Sequence, residues 1–254
     1  SSDLIVHIYG PIAALYFNAM AYFISAIFIS LAPFKNDKPR ENSENISTAL
    51  SKGFLFLKDK SGVLFLGITT IMSDVAIWGA LSVLTITMSK EIFNKGSWGY
   101  GLMDGMYGFG ALISTIVVAI ITKKFGRRKS LIWCYSIAGL CCFISPFSPT
   151  IYIAGIAYLL MGLHNNSARI IVRTLFMEII PNNIMGRVQT IFGVYTRVMM
   201  LTSVLIAGWV TENLNPHIGM NFASAHYLIA LIGIIVISKF SNFRKEIFKV
   251  KNHA

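Results

Sequence analysis

Apolar side chains dominate seven long stretches of the chain, and polar or charged residues separate them. These stretches cover residues 10–34, 62–88, 98–122, 130–147, 150–176, 187–211 and 222–240. A helix needs about 20 apolar residues to cross a hydrocarbon core of roughly 30 Å, because each residue adds about 1.5 Å. The uncharged run 105–122 alone supplies 18 residues. The pattern predicts an all-α, polytopic membrane protein with seven crossing helices.

The basic residues lie mainly in alternate gaps between these stretches. Five of them fall within 123–129, whereas the gaps on the opposite side hold only Lys90 and Lys95. Loops rich in Lys and Arg stay cytoplasmic during insertion, which predicts a multi-pass protein of the plasma or inner membrane with a cytoplasmic C-terminus. An odd helix count then places Ser1 outside. Because no signal peptide leads the chain there, we expect earlier helices to be missing.

The one long linker, residues 35–60, is polar at first and then amphipathic. Its second part predicts a helix along the cytoplasmic membrane surface. In that arrangement lipid contacts come from Leu50, Phe54 and Leu57, and headgroup contacts come from Lys52, Lys58 and Lys60. An ordinary connector between two membrane helices is the alternative.

Composition and the lack of known motifs limit the functions that the chain can have. Hydrophobic residues make up 55% of the chain, charged residues 13%, and the mean hydropathy is +0.64. The net charge of +11 lies at membrane flanks, so we expect no nucleic-acid partner. The cysteines share one apolar run without metal-ligand spacing, and no P-loop, H-E-x-x-H or G-x-S-x-G motif occurs. We therefore expect no metal, no cofactor and no enzyme activity.

Three segments resemble a known family. GYGLMDGMYGFGALIS followed by KKFGRRKSL resembles the eighth span and next loop of the major facilitator superfamily, whose loop signature is G-x-x-x-D-R-x-G-R-R/K. PNNIMGRVQTIFGVYTRVMMLTSVLIAG resembles the eleventh span of its macrolide-efflux and siderophore-export branch, and YFNAMAYFISAIFI is similar to the sixth. The signature glycine falls on Ala119 and its acidic residue on Lys123, so the match at this loop is partial.

The resemblance implies that the chain covers spans six to twelve of a twelve-span transporter. Residues 1–34 would be the last helix of the N-terminal half, 35–60 the inter-half linker, 61–242 the C-terminal six-helix bundle and 243–254 a basic cytoplasmic tail. A conformational gating loop would comprise Gly126, Arg127, Arg128, Gly186 and Arg187. The partners of the whole chain would be the missing N-terminal helices, membrane lipids, a small-molecule substrate and protons.

Ionisable side chains at membrane depth need a cavity or a partner, because each costs at least about 2.5–3.5 kcal/mol there. Asp74, His164 and Arg197 fall near the midplane, and Asp104 lies closer to the outside. Asp74, Asp104 and His164 are proton-coupling candidates. The alternatives are static pairing of Asp74 or Asp104 with Arg197 and a packing role for His164.

Substrate-cavity candidates are Asn165, Asn166, Arg169, Arg173, Arg197 and Trp78. Asn165, Asn166 and the adjacent Ser167 could bind a ligand or bridge helices. The two arginines share a helix face at i,i+4, and the favoured alternative is that they extend inward or pair with Glu178. The Gly101-x-x-x-Gly105 pattern predicts close helix packing.

The function that these features favour is secondary, proton-coupled efflux of a lipophilic or amphipathic small molecule by alternating access. The macrolide or siderophore type and the export direction are implied by the branch resemblance alone. A seven-helix membrane receptor and a non-transporting remnant of a split transporter gene are the alternatives.

Overall fold

All regular structure is helical in residues 2–31 and 46–248, which are the residues that the computed structural model describes. The helices are α1 (Ser2–Leu31), α2 (Ile46–Asp59), α3 (Ser61–Val75), α4 (Leu81–Thr87), α5 (Gly96–Ile144), α6 (Ile151–Ile179), α7 (Asn182–Asn213), α8 (Pro216–Lys239) and α9 (Ser241–Phe248). The all-α prediction is confirmed. The polar part of the linker, 35–45, and the end of the tail, 249–254, fall outside the described residues.

Helices α3 and α4 belong to one rod, Ser61–Ile92, with one π-helical turn between them and a second at its end. The first turn, Ala76–Ala80, begins two residues after Asp74. Within it, Gly79 lies so close to α7 that an added Cβ would be 3.1 Å from Ser203 Cβ. Single π-helical turns inside α-helices frequently mark functional positions, and this one adjoins the predicted midplane carboxylate.

Helix α5 contains 49 residues and bends once, at Gly126. The backbone angles there are φ 73° and ψ 156°, a region that essentially only glycine occupies. Ser130 Oγ lies 3.1 Å from the Ile121 carbonyl oxygen of the first limb and 2.9 Å from the Gly126 carbonyl oxygen, so its one proton is shared between acceptors on the two sides of the bend. The basic run expected to form a loop is therefore helical on both sides of a single glycine.

Four of the described helical rods are long and apolar enough to cross a membrane: Ser61–Ile92, Gly96–Phe147, Asn182–Asn213 and Pro216–Lys239. The second contains 52 residues, far more than the roughly 20 that one crossing needs, and the bend at Gly126 divides it into two limbs. Helices also cover the described part of the first predicted window, as α1, and nearly all of the fifth, as α6, while residues 32–34 of the first window lie outside the described residues. The number of crossings, seven, stays a prediction.

The closest backbone contact joins the first limb of α5 to α6. A Cβ added to Gly110 would overlap the Leu159 carbonyl, and one added to Gly162 would overlap the Tyr107 carbonyl. By contrast, Gly105 has no atom within 4 Å of such a Cβ. The close approach expected at Gly105 is therefore absent there, and Gly110 further along α5 makes one with α6, which fixes the polar residues of α6 against α5.

Helices α2 and α9 cover the end of the bundle that carries Arg127 and Arg187, which we call the basic end. Helix α2 packs on α7, where a Cβ on Gly53 would lie 3.2 Å from Arg187 Cβ. Leu57 is 1% exposed and so contacts protein, which makes its expected lipid contact wrong, whereas Phe54 is exposed. From α9, the Glu246 carboxylate accepts a hydrogen bond from the Val63 backbone N–H at 3.1 Å.

Helix α1 contributes little to the core. It packs against α5, and large apolar side chains along it, such as Tyr16, Phe23 and Phe28, are exposed. Its assignment to an N-terminal half stays a prediction, as does the division of the chain into four regions.

Candidate functional site

Two of the cavities that the described residues form lie between the helices of the bundle, one nearer to each end. The basic-end cavity, about 440 Å³, lies between Asp74 of α3, Arg173 and Phe176 of α6 and Gln189 of α7. Arg173 is six residues before the end of α6 at the basic end. Polar and apolar side chains both line the cavity, and its charged groups come from α3 and α6.

The distal cavity, about 370 Å³, lies between the α3–α4 rod, the first limb of α5 and α6. Its walls include Trp78, Tyr100, Asp104, Tyr158 and Asn166. Aromatic rings next to a carboxylate, an amide and hydroxyl groups can bind a ligand that has both apolar and polar faces.

An ion pair separates the two cavities. Arg169 Nε lies 3.4 Å from Asp74 Oδ1, and Arg169 lines both cavities while Asp74 lines only the basic-end cavity. Neither of these two atoms has a hydrogen-bond partner among the described residues. The pair is thus a charge contact without hydrogen bonds, so both groups keep hydrogen-bonding capacity that a ligand or water can use.

This geometry corrects one sequence expectation. Arg169, not Arg197, is the residue that pairs with Asp74. Arg197 is exposed on α7 and lines neither cavity. Arg173 does line the basic-end cavity, so the two arginines at i,i+4 face the same space as the carboxylate.

Glu178 pairs with the bend in α5 instead of with Arg169 or Arg173. Arg127 Nη1 and Nη2 donate to its two carboxylate oxygens at 2.5 and 2.6 Å. The expected Arg169–Glu178 and Arg173–Glu178 pairs are therefore wrong. The two-point contact ties the residue after Gly126 to the last turn of α6 at the basic end, which agrees in location with the predicted gating loop.

Side-chain amides of α6 bridge to α5. Asn165 Nδ2 donates to the Tyr107 hydroxyl at 2.9 Å, and Asn166 Nδ2 donates to Ser114 Oγ at 2.6 Å. Ser167 donates to the Leu163 carbonyl of its own helix. These contacts support the helix-bridging alternative for the polar patch, while Asn166 also reaches the distal cavity.

The remaining candidates are dispersed. His164 Nδ1 lies 2.8 Å from the Leu160 carbonyl of its own helix, and its side chain lines neither cavity. Trp78 and Asp104 both line the distal cavity, whereas Gly186 and Arg187 lie at the start of α7 beside α2. The structure therefore brings Asp74, Asp104, Arg169 and Arg173 near the cavities and leaves His164 and Arg197 outside them.

Sequence reasoning missed several tyrosines at these cavities. Tyr100 and Tyr107 line the distal cavity with Asp104, and the three residues share one helix face at i, i+4 and i+7. That spacing was the available signal. Tyr158 and Thr85 also face this cavity and share a hydrogen bond of 2.9 Å between α6 and α4, which no local pattern indicates.

The fold and the site define a class: an all-α, multi-pass membrane helix bundle with internal cavities and charged groups between them. A sequence model of the Major Facilitator Superfamily matches residues 2–203 and, in a second match, residues 63–243. Because these matches cover well over half of the chain, the protein belongs to the Major Facilitator Superfamily. The family resemblance is confirmed at this level, and the efflux branch stays a prediction.

Part of the chain is also similar to one curated protein at low identity. A D-xylose transporter from Levilactobacillus brevis is 26% identical over 158 residues, which are 62% of this chain and 32% of that protein. The chain thus matches about a third of the length of this relative.

Proposed function

We propose that this chain supplies the C-terminal half of a secondary transporter that couples the movement of a small molecule to protons. Membership in the Major Facilitator Superfamily supports a transporter rather than an enzyme or a receptor. The observation that carries the proposal is the Asp74–Arg169 contact, since one charge pair borders both cavities. The N-terminal helices of the same transporter would face these cavities, with the basic end cytoplasmic in the plasma or inner membrane.

The mechanism is control of Arg169 by the charge on Asp74. When Asp74 is ionised, it holds the guanidinium at 3.4 Å, where Arg169 also lines the distal cavity and binds an acceptor group of the substrate. A proton on Asp74 removes the negative charge that holds Arg169 in this position, so protonation releases the substrate. Loss of that proton restores the pair and the binding position, so proton and substrate use the site in turn, as proton-driven efflux requires. Proton and substrate are thereby coupled through one side chain, and alternating access exposes it to each side in turn.

The finer proposal is efflux of an amphipathic molecule of macrolide or siderophore type. The resemblance around Gly126-Arg127-Arg128 and Gly186-Arg187 supports this branch, and the mixed apolar and polar walls of both cavities suit such a substrate. A pentose is the second candidate. The name of the D-xylose transporter relative favours it, as do the hydroxyl and amide groups of Ser82, Tyr100 and Asn166 in the distal cavity.

The test uses the intact transporter in vesicles with an imposed pH gradient, and it supplies a labelled macrolide and labelled D-xylose separately. We expect gradient-driven accumulation of one of them, at least tenfold lower in Asp74→Asn, with substrate binding weakened. Asp59→Asn is the matched control, because Asp59 is an exposed carboxylate of α2 outside both cavities. Unchanged accumulation in Asp74→Asn removes Asp74 from the mechanism, and no accumulation of either labelled compound by the wild type contradicts both proposed substrates.

A further inference from the structure

The wall between the two cavities contains polar atoms that lack hydrogen-bond partners. Six buried side-chain atoms in the described residues have no hydrogen-bond partner; two of them belong to the Asp74–Arg169 pair at this wall, and two more belong to residues that neighbour the cavity linings without being part of them. These four atoms are Asp74 Oδ1, Asn165 Oδ1, Arg169 Nε and Tyr227 Oη. Buried polar groups in folded proteins are almost always hydrogen-bonded, to protein or to ordered water, so a cluster of four requires an explanation.

Tyr227 is the most deeply buried of these residues. Its side chain is 0% exposed, and its helix, α8, lies so close to α5 that a Cβ on Gly139 would be 3.0 Å from Tyr227 Cβ. The phenol interacts electrostatically with Tyr107 and Tyr158 of the distal cavity and with Asp74 of the basic-end cavity. Its hydroxyl is therefore buried, lacks a hydrogen-bond partner and is near side chains of both cavities while it lines neither.

Asn165 and Tyr107 extend this polar layer. Asn165 is 2% exposed, and its Nδ2 donates to the Tyr107 hydroxyl, so Tyr107 acts there as the acceptor and keeps its own proton to donate. Asn165 Oδ1 has an unmet need for a donor. A water molecule supplies both a donor and an acceptor, and it is held well where two to four polar groups surround it.

We propose that the wall is a site for internal water, bound by Tyr107, Asn165 and Tyr227, and that this hydrated layer conducts protons between Asp104 and Asp74. The inference rests on the proposed proton-coupled function and goes beyond it by naming the path. Of the charged and titratable groups in the described helices around Asp74, Arg169 and Arg173 come from α6, Tyr107 and Tyr135 from α5 and Tyr227 from α8.

The transfer balances in protons. The Asp104 carboxylate takes up one proton from the distal cavity and passes it to a bound water, and each water or hydroxyl in the layer accepts one proton as it releases another. The Asp74 carboxylate receives the last one, which breaks its charge contact with Arg169. Every hydroxyl returns to its neutral form, and one proton has moved with no other reactant.

Hydration can be tested without transport. Brief X-ray irradiation of the intact protein converts water molecules to hydroxyl radicals at the positions where the water is bound. A buried side chain is therefore labelled only if a water molecule is bound beside it. We expect labelling of Tyr227 but not of Met220, which is equally buried on the same helix. Methionine sulfur oxidises more readily than a phenol, so the comparison is stringent. If the Tyr227 ring is labelled no more than Met220, the proposed water site is wrong.

Conduction is tested with Tyr227→Phe in the vesicle assay. We expect proton-driven accumulation to fall at least fivefold, while counterflow exchange of substrate, which requires no net proton movement, stays within twofold of wild type. Tyr152→Phe is the matched control, because Tyr152 is exposed and packs on Trp98 outside both cavities. Unchanged proton-driven accumulation in Tyr227→Phe overturns the path. A wild type that ignores the pH gradient overturns both the path and the proposed function, and the labelling result then decides the water site by itself.

Discussion

The contact between α5 and α6 allows a stability prediction from two glycines of the same helix. A methyl group on Gly110 would overlap the Leu159 carbonyl, which is backbone and cannot rotate away, whereas a methyl group on Gly105 would meet nothing within 4 Å. Both residues lie inside α5, so the gain in helix propensity from Gly to Ala, about 1 kcal/mol, is common to the two changes.

The difference between the variants therefore reports the steric cost alone. Forcing an extra methyl group into a packed interface costs about 1–3 kcal/mol. We expect Gly110→Ala to be less stable than Gly105→Ala by that amount, which corresponds to a roughly 5- to 150-fold smaller ratio of folded to unfolded protein. Gly162→Ala should behave like Gly110→Ala, because its Cβ would overlap the Tyr107 carbonyl across the same interface.

The assay is reversible unfolding of the purified protein in mixed micelles with increasing SDS, followed by circular dichroism. Wild type, Gly105→Ala, Gly110→Ala and Gly162→Ala are compared at equal protein concentration. If Gly110→Ala and Gly105→Ala unfold at the same SDS fraction, the close approach of α5 and α6 and the placement of Asn165 that depends on it are wrong.

Two further predictions concern the basic end. A double-mutant cycle of unfolding should give a coupling free energy of about 0.5–1 kcal/mol between Arg127 and Glu178, measured with Arg127→Ala, Glu178→Ala and the double variant. The value is modest because the contact is bidentate but the two side chains are 40% and 30% exposed. If the effects of the two single changes simply add, the contact is wrong. Glu246→Ala should lower the free energy of unfolding by about 0.5–2 kcal/mol and speed hydrogen exchange at the Val63 amide, because that N–H loses its acceptor. Glu212→Ala, at the exposed end of α7, is the control, and equal exchange at Val63 in both variants contradicts the capping role.

Local patterns predicted much of the helical framework. The apolar window 150–176 matches α6 to within three residues at each end, the window 222–240 falls in α8 except for its last residue, and the break between the third and fourth windows includes Gly126. The packing of the linker helix was harder to predict. Its amphipathic pattern predicted a helix, but burial of Leu57 depends on the surface that α7 presents to it, and this surface is distant in sequence.

The candidate site was predictable residue by residue but not pair by pair. The charge of Asp74 at membrane depth marked it as a residue needing a partner, and its depth equally suited Arg197. The choice of Arg169 follows from how α6 rotates about its axis when Gly162 meets α5. That rotation turns His164 away from the cavities and directs Asn165 toward Tyr107.

The sequence by itself determined that the helices are suited to a membrane and which segments are helical, because hydropathy and helix length are sums over neighbouring residues. The tertiary structure decided which charges meet, which glycines touch backbone and where two cavities approach each other across Arg169 and Tyr227. Those outcomes depend on distances between helices that are remote in sequence, and packing rather than composition sets these distances.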